Sequence, residues 1–503
     1  MKTHKICNSL VLIFVSISLI SCNKWLDVRP SNQFSEEEQF ETEQGYIDAL
    51  TGIYQTMTST QTYGKEMTFG FVDILAQLYN NANKATETNY YGMTARYRYT
   101  QTGAETQHNP RITVENIWQR QYTSIAHANY LLQHLDTKPN FMGANNYGII
   151  KGEALALRAF LHFDLFRLFG PRYTEGTADS PAIPYMRTFT VSPGQVLSSA
   201  QLLQAVREDL IAAMELQAVY KDIDQIRGNQ GSTSGELFLT YRQNRMNYWA
   251  TVALLARVSL YLGEVEEARR YASEVIESGK FMFFTGPFNM NEKVVESDII
   301  FTTEHIFSLY HSGLRDIADD YFKTLETTPE VSDLYEVKSV LDSYYETSKT
   351  NYDVDTRSTV ATASRWNAHN ATSVYTKKYY SDFQNNVKQR MIPLIRLPEM
   401  YYILAETSAS ISESLTHLNI VRQARRLPVL TATDVPDETT LQNEIFKEYR
   451  KEYYAEGQLW HFYKRYGYTL IPNGPGNLNA TVSPENYVFP IPVKELEFNS
   501  NFE

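Results

Sequence analysis

The chain has 503 residues, 13% of them aromatic (36 Tyr, 25 Phe and 5 Trp), and a formal charge of −12 at pH 7. That acidity leaves no basic stripe for a phosphate backbone, which excludes nucleic acid as a partner and disfavours anionic lipid headgroups. Only Cys7 and Cys22 are present, both near the start, so no disulfide staples the body of the protein and its stability rests on a large core.

A basic start (Lys2, His4, Lys5) runs into an apolar stretch from Ile6 to Ile20, followed by Ser21-Cys22. The stretch is too short to cross a ~30 Å hydrocarbon core, and a small residue before a cysteine is what a lipoprotein signal peptidase cuts. Residues 1–21 are expected to leave as a signal peptide and Cys22 to carry lipid. At ~0.8 kcal/mol per buried methylene, several acyl chains tether the protein to a membrane.

Helical periodicity begins in Phe40–Met57 and returns in Ile112–Leu135, Asn146–Phe169 and Leu202–Leu216. It is clearest from Met246 to Ser278, where Ala250, Ala253, Leu255, Ala256 and Val258 lead through Leu262-Gly263 into a second apolar face of Ala268, Tyr271, Ala272 and Val275. Small residues at helical spacing, a Leu-Gly turn and an antiparallel return are the signature of a tetratricopeptide hairpin. Ile403–Glu406 followed by Leu415, Leu418 and Val421 repeats the pattern. The predicted fold is mostly α, with about four such hairpins as a scaffold and a loop-rich insertion carrying a few short strands. The scaffold segments are 36–60, 112–278 and 396–426. Between Phe281 and Ile395 the helical period fades, and the runs Ile300-Phe301 and Ile306–Leu309 suggest strands. A loop-like stretch also covers Tyr63–Pro110. Leu441–Gly467 reads as one long helix, and the prolines of Phe489–Pro492 rule out a central strand there.

Chemical motifs are sparse. No His-Glu-x-x-His pair, phosphate loop or Gly-x-Ser-x-Gly occurs. Asp222-Ile-Asp224 and Asp353-Val-Asp355 resemble the opening of a calcium loop, but Arg227 interrupts the first and no glycine follows the second, so calcium is unsupported and no cofactor is expected. Glu448, Glu452 and Glu456 step by four beside Arg450 and Lys451, which reads as a solvated, salt-bridged helix face.

Several blocks together resemble the SusD/RagB outer-membrane lipoproteins: Trp25–Pro30 after the lipidation signal, Glu153–Phe160 through Gly170, Arg396–Met400 through Glu406, Leu418–Arg422, Glu448–Tyr453 to Gly457, and Ile491-Pro492 to Asn499. The likeness covers almost the whole chain after Cys22 and implies a single SusD-like domain over 22–503. That domain would have ligand-facing segments at 61–111 and 281–395 and a C-terminal segment at 437–503. Two departures stand out, one being that the acidic run that commonly follows an export-signal cysteine is weak, Asn23–Asp27 holding one acid. Where the family usually places an Arg and, three residues on, an Asp, this chain has Leu459 and Phe462, so packing is expected in place of an ion pair. The resemblance implies an outer-membrane, lipid-anchored subunit facing the exterior. Such a subunit captures an oligosaccharide or polysaccharide and sits as a lid on a SusC-like TonB-dependent transporter. The alternatives are a peptide-binding uptake subunit of the same architecture and, further off, a glycoside hydrolase.

Ligand residues in that family vary, so the candidates come from chemistry. A glycan cradle needs rings that stack on pyranose C–H faces and short polar groups that pair with hydroxyls, displayed on rigidly held loops. Segment 61–111 offers Asp73, Asn80, Asn81, Tyr90, Tyr91, Arg96 and Tyr97. The central insertion offers Tyr310, His311, Tyr345 and Trp366. One buried face of such a ring contributes about 2 kcal/mol before ordering costs. The double change Tyr90→Ala plus Tyr91→Ala is accordingly expected to abolish ligand retention while leaving the melting temperature nearly unchanged.

Overall fold

The computed structural model describes residues 39–80, 84, 87–100, 109–138, 142–221, 237–239, 242, 245–284, 286, 298–322, 334–361, 365–379 and 390–502. Contacts divide the chain into two units, Met1–Tyr46 and Ile47–Glu503. In the first, Phe40 and Tyr46 meet edge to face at 4.8 Å. The signal segment and Cys22 lie outside the described residues, as do Asn81 and the Asp222–Asp224 pair.

Every helix expected of the scaffold is present: α1 (Glu43–Met57), α4 (Pro110–Thr137), α5 (Ala144–Phe169), α6 (Ser199–Gln217), α7 (Tyr248–Leu262), α8 (Val265–Glu277), α11 (Leu397–Thr407) and α12 (Ile411–Ala424). From α4 onward they stack in one series, α4 on α5, α5 on α6, α6 on α7, α7 on α8, α8 on α11 and α11 on α12. The middle of the series explains its sequence. α7 is buried from Tyr248 to Ser259 and is mostly apolar, its buried Arg257 paired with Glu399, whereas the later-stacked α8 buries only Ala268, Tyr271, Ala272 and Val275. Gly263, left-handed at φ 75°, makes the sharp turn between them. Side-chain caps fix the starts: Asn247 accepts from the Ala250 amide, Ser198 from that of Gln201 and Ser410 from that of Glu413.

The segments between scaffold helices are more regular than the sequence suggests. Segment 61–111 holds α2 (Phe71–Leu75) and α3 (Tyr90–Ala95), and the central insertion holds α9 (Leu314–Phe322) and α10 (Lys338–Tyr344). Leu314, Ala318 and Phe322 of α9 recur every four residues and are all buried, a helical signal hidden among acidic neighbours. The run at Ile306–Leu309 does become a strand, β3 (His305–Tyr310). It pairs antiparallel with β7 (Met391–Arg396), Tyr310 opposite Met391. Ile300-Phe301 does not: Phe301 sits at φ 58° before a single 3₁₀ turn. The other strands make three small sheets: β1 (Pro181–Pro184) with β2 (Val196–Ser198), β4 (Glu336–Val337) and β5 (Trp366–Ala368) on either side of β6 (Ser373–Thr376), and β8 (Leu470–Ile471) with β9 (Ala480–Thr481).

The late helix is two helices. α13 (Glu438–Glu452) ends in a turn where Ala455 and Gly457 take φ 61° and 71°, and α14 (Leu459–Tyr466) starts anew. A Cβ on Gly457 would lie 2.2 Å from the Met67 carbonyl, so only glycine lets the two segments approach. Leu459 and Phe462 are buried, and Phe462 stacks at 4.6 Å on Tyr449, in line with packing in place of an ion pair. α15 (Val493–Phe498) is followed by a 3₁₀ turn at Ser500–Phe502, and no strand forms at Phe489–Pro492.

Candidate functional site

Under α13 the carboxylates read as solvated are in fact sealed inside the protein. Glu448, Glu452 and Glu456 are no more than 2% exposed. Arg357 and Arg422 each donate to Glu448 at 2.8 Å. Arg396 reaches Glu452 at 2.6 Å and Glu456 at 2.8 Å, while Arg425 joins Glu452 at 2.7 Å to Glu304 at 2.6 Å. Lys378 adds a bond to Glu456 at 2.6 Å. The four-residue stepping correctly puts the acids on one face, but that face points inward. Burial acts to raise Glu448, yet Lys451, Arg357 and Arg422 outweigh it and hold its carboxyl well below the usual range. Carboxylates clamped in this way serve neither as general acid nor as nucleophile. Asp355 belongs to the same cluster, buried and paired with Arg357 at 2.8 Å, whereas Asp353 is exposed, so the two do not share a cation. Among the described residues no group of His, Cys, Asp or Glu side chains is disposed to hold a metal ion.

The candidate ligand residues fall into two sets. Tyr91, Tyr97 and Trp366 are 1%, 4% and 7% exposed and Asp73 is fully buried, so none can meet a ligand from solution. Their partners show why. Tyr97 stacks on Trp460 at 5.6 Å, and Trp366 lies against Tyr454 at 4.8 Å while its indole N–H donates to the Arg357 carbonyl at 2.9 Å. Tyr345, which bonds the Lys451 carbonyl, is likewise core. Burial pushes Asp73 well above the ordinary carboxylate range, and the Gly457 amide only partly opposes it. These rings close the gap between the scaffold and its insertions.

The second set forms a polar, aromatic face to which segments 61–111 and 281–395 both contribute. Tyr90, at the start of α3, is half-buried, and its hydroxyl lies 3.0 Å from Thr113 Oγ1 on α4 and 3.4 Å from Glu66 Oε2. Glu66 also accepts from the Phe71 amide at 3.0 Å and pairs with Lys65 at 2.7 Å. Lys65 lies over the ring of Tyr321 on α9, 4.3 Å from its centroid, and donates to the Tyr321 hydroxyl at 2.8 Å. Two tyrosines from different segments are thus bridged by one ion pair. The Leu334 amide continues the face by donating to the Tyr321 carbonyl, and Tyr335 stacks on half-exposed His369 at 4.3 Å. Asn80 is tied in through its amide, which donates to the Tyr335 carbonyl at 2.9 Å. Asn89 holds the first turn of α3 by accepting from the Gly92 amide at 2.7 Å, and Arg96 secures its end by donating to the Lys84 and Gly92 carbonyls. Arg96 is therefore a brace for the face.

A near-neutral buried pair underlies this region. Glu336, fully buried at the start of β4, accepts from Asn473 Nδ2 at 2.6 Å, and Asn473 in turn takes a short bond from Lys84 through its carbonyl. Burial lifts Glu336 to about 7, against the pull of Lys84, and lowers Lys84 to about 8. Tyr310 stands at the other end of α9 from Tyr321. It is 42% exposed and its hydroxyl accepts from Arg390 at 3.2 Å, while His311 is engaged with the Gly313 amide. Lys65, Tyr321 and His369 were not singled out from sequence. The period of α9 could have placed Tyr321 at the edge of its buried stripe.

Comparison with known proteins decides the family. Residues 24–260 match the family described as starch-binding and associating with outer membrane, and residues 267–482 match the SusD family. The chain belongs to the SusD/RagB family. A SusD-like protein, P38, of Formosa agariphila is 22% identical, the alignment covering 100% of this chain and 99% of that protein. The crystal structure of a SusD superfamily protein from Bacteroides thetaiotaomicron shares the fold at a TM-score of 0.66 and 21% identity, covering 92% of this chain and 98% of the other. A SusD-like carbohydrate binding protein from Bacteroides vulgatus does so at 0.64 and 16% identity, covering 92% and 97%. The mostly helical architecture with small sheets is that of SusD-like proteins.

Proposed function

We propose that this SusD-like chain is a lipid-anchored, outward-facing subunit of the outer membrane. It captures an oligosaccharide or polysaccharide on the face around Tyr90 and delivers it to a SusC-like TonB-dependent transporter, which it covers as a lid. The observation that carries the ligand reading is the pair Tyr90 and Tyr321, two half-buried rings from separate segments held by the Lys65–Glu66 ion pair. Rings fixed in this way lose little freedom when a sugar stacks on them, and the adjoining Lys65 ammonium and His369 imidazole can pair with hydroxyls. The description of the matched family as starch-binding and outer-membrane-associating supports both the ligand class and the location. Binding without turnover fits the ion-paired state of the carboxylates under α13. A retention screen against immobilised polysaccharides and a peptide pool, with product analysis on every hit, tests the reading. Retention without cleavage is expected. Cleavage, or retention of peptides alone, would overturn it.

A further inference from the structure

A second concavity lies along α4, away from the buried network. It is a cleft of about 880 Å³ between α4, the loop from Pro184 to Gly194 and the C-terminal segment Pro492–Asn499, a volume typical of small-ligand sites. Its walls differ in kind. Along α4, Asn116, Gln119 and Thr123 repeat every three or four residues and present neutral amides and a hydroxyl. Among the described residues the Asn116 and Gln119 amides bond to no other side chain. The opposite wall sets apolar Val191, fully exposed, and Phe498, 77% exposed, among the hydroxyls of Thr188, Thr190 and Ser192. Both walls are braced. Tyr122 donates to the Pro184 carbonyl at 2.8 Å, Asn129 to the Met186 carbonyl at 2.8 Å and Asn499 to the Gly194 carbonyl at 3.0 Å, while the Met186 amide donates to His162 at 2.9 Å. The lining charges are Glu115, Glu495 and Glu497 against Lys494, which repels anions.

We propose that this cleft is a second subsite for a neutral oligosaccharide, with Asn116 and Gln119 pairing with hydroxyls and Phe498 taking a pyranose face. The inference rests on the glycan reading above. A pyranose offers partners to both kinds of group in the cleft, hydroxyls at its edge and C–H groups on its face. Both sites touch α4: Tyr90 contacts Thr113, and Asn116 on the rim of the cleft follows three residues on, about 4.5 Å along and about 60° around the helix, while Glu115, Gln119 and Tyr122 face its far side. A chain lying over Tyr90 reaches the cleft by growing longer, so the second site selects for length.

The experiment is calorimetric titration of the purified full chain with malto-, xylo-, manno-, fructo- and β-gluco-oligosaccharides from disaccharide to octasaccharide. Asn116→Ala plus Gln119→Ala is expected to leave trisaccharide affinity unchanged and to weaken the longest oligomers about tenfold. Phe498→Ala should act in the same direction. All three side chains lie at or near the surface, so the melting temperature should hold and serves as the folding control. If wild type binds long oligomers better than short ones and both variants do the same, the cleft is not a subsite. If wild type binds none of the ladders, the capture reading fails before the variants are compared, and the subsite falls with it. Binding of a peptide pool that these variants abolish would assign the cleft to polypeptide and overturn the proposal.

Discussion

Around Glu452, guanidinium groups of Arg357, Arg396 and Arg425 close on one carboxylate with no exposure to solvent. Around Tyr90, a Lys–Glu pair of the same chemistry is less deeply buried, with Glu66 8% exposed, and bridges two half-buried tyrosines. The residue types are alike in the two places, and what differs is desolvation. Inside, each charge is worth keeping only because several opposite charges replace its lost water, so the cluster tolerates no vacancy. Around Lys65 partial exposure lets water share that task, so one ion pair and two tyrosine hydroxyls suffice. The fold thus spends its strongest interactions joining α13 to β7, α12 and the central insertion, and holds the face around Tyr90 with fewer charges.

Removing one partner from the buried cluster should break the comparison most sharply. Glu452→Ala leaves three guanidinium groups facing a void and is expected to cost about 3–5 kcal/mol in denaturant melts. A loss below about 1 kcal/mol would show that the cluster does not hold the insertion. Next in size, Tyr91→Ala should cost about 3 kcal/mol because its ring is core, whereas Tyr90→Ala alone should cost under about 1 kcal/mol. The double variant is therefore destabilised, contrary to the expectation drawn from sequence; equal melts for the two single variants would refute the division between them.

A third comparison uses pH. Glu336 titrates near 7 in the native protein and near 4.5 when exposed, so its contribution is complete below 4.5 and is lost as pH rises through 7. Wild type should accordingly lose stability relative to Glu336→Gln between those values. A constant difference across that range would mean that the carboxyl is not held neutral. His162 works in the opposite sense. Burial depresses it to about 3, and its ring accepts from the Met186 amide while bonding the Arg158 carbonyl. Its contribution is complete above 6.5 and is lost as pH falls toward 3, so His162→Gln should flatten the acid limb of the melting profile. The smallest stability effect belongs to Tyr90→Ala plus Tyr321→Ala. The melting temperature should move by no more than a few degrees while glycan retention disappears. Retention that survives the change would move the binding site off this face.

Much of the architecture was legible because it is local. The small-residue stripe of Met246–Ser278, the Leu262-Gly263 turn and the capping residues need only helical geometry to be read, and all the scaffold helices appear where the periodicity puts them. Periodicity failed where a second constraint intervened. Leu441–Gly467 carries a helical pattern throughout, yet the close pass of Met67 against Gly457 breaks it. Of the candidate ligand residues, the sequence chose types correctly and places poorly. Tyr90 and Tyr91 are neighbours with identical side chains, and a turn of α3 sends one to the surface and the other inside.

By itself, then, the sequence determined the secondary structure of the scaffold and the family, since spacing and short motifs carry both. Which tyrosines and carboxylates face water was settled only by tertiary structure. An amphipathic ring or an acid is stable on either side of an interface, provided that the other side supplies a hydroxyl partner or a guanidinium, and those partners come from segments a hundred or more residues away in the chain, as Tyr321 does for Lys65 and Glu304 for Arg425.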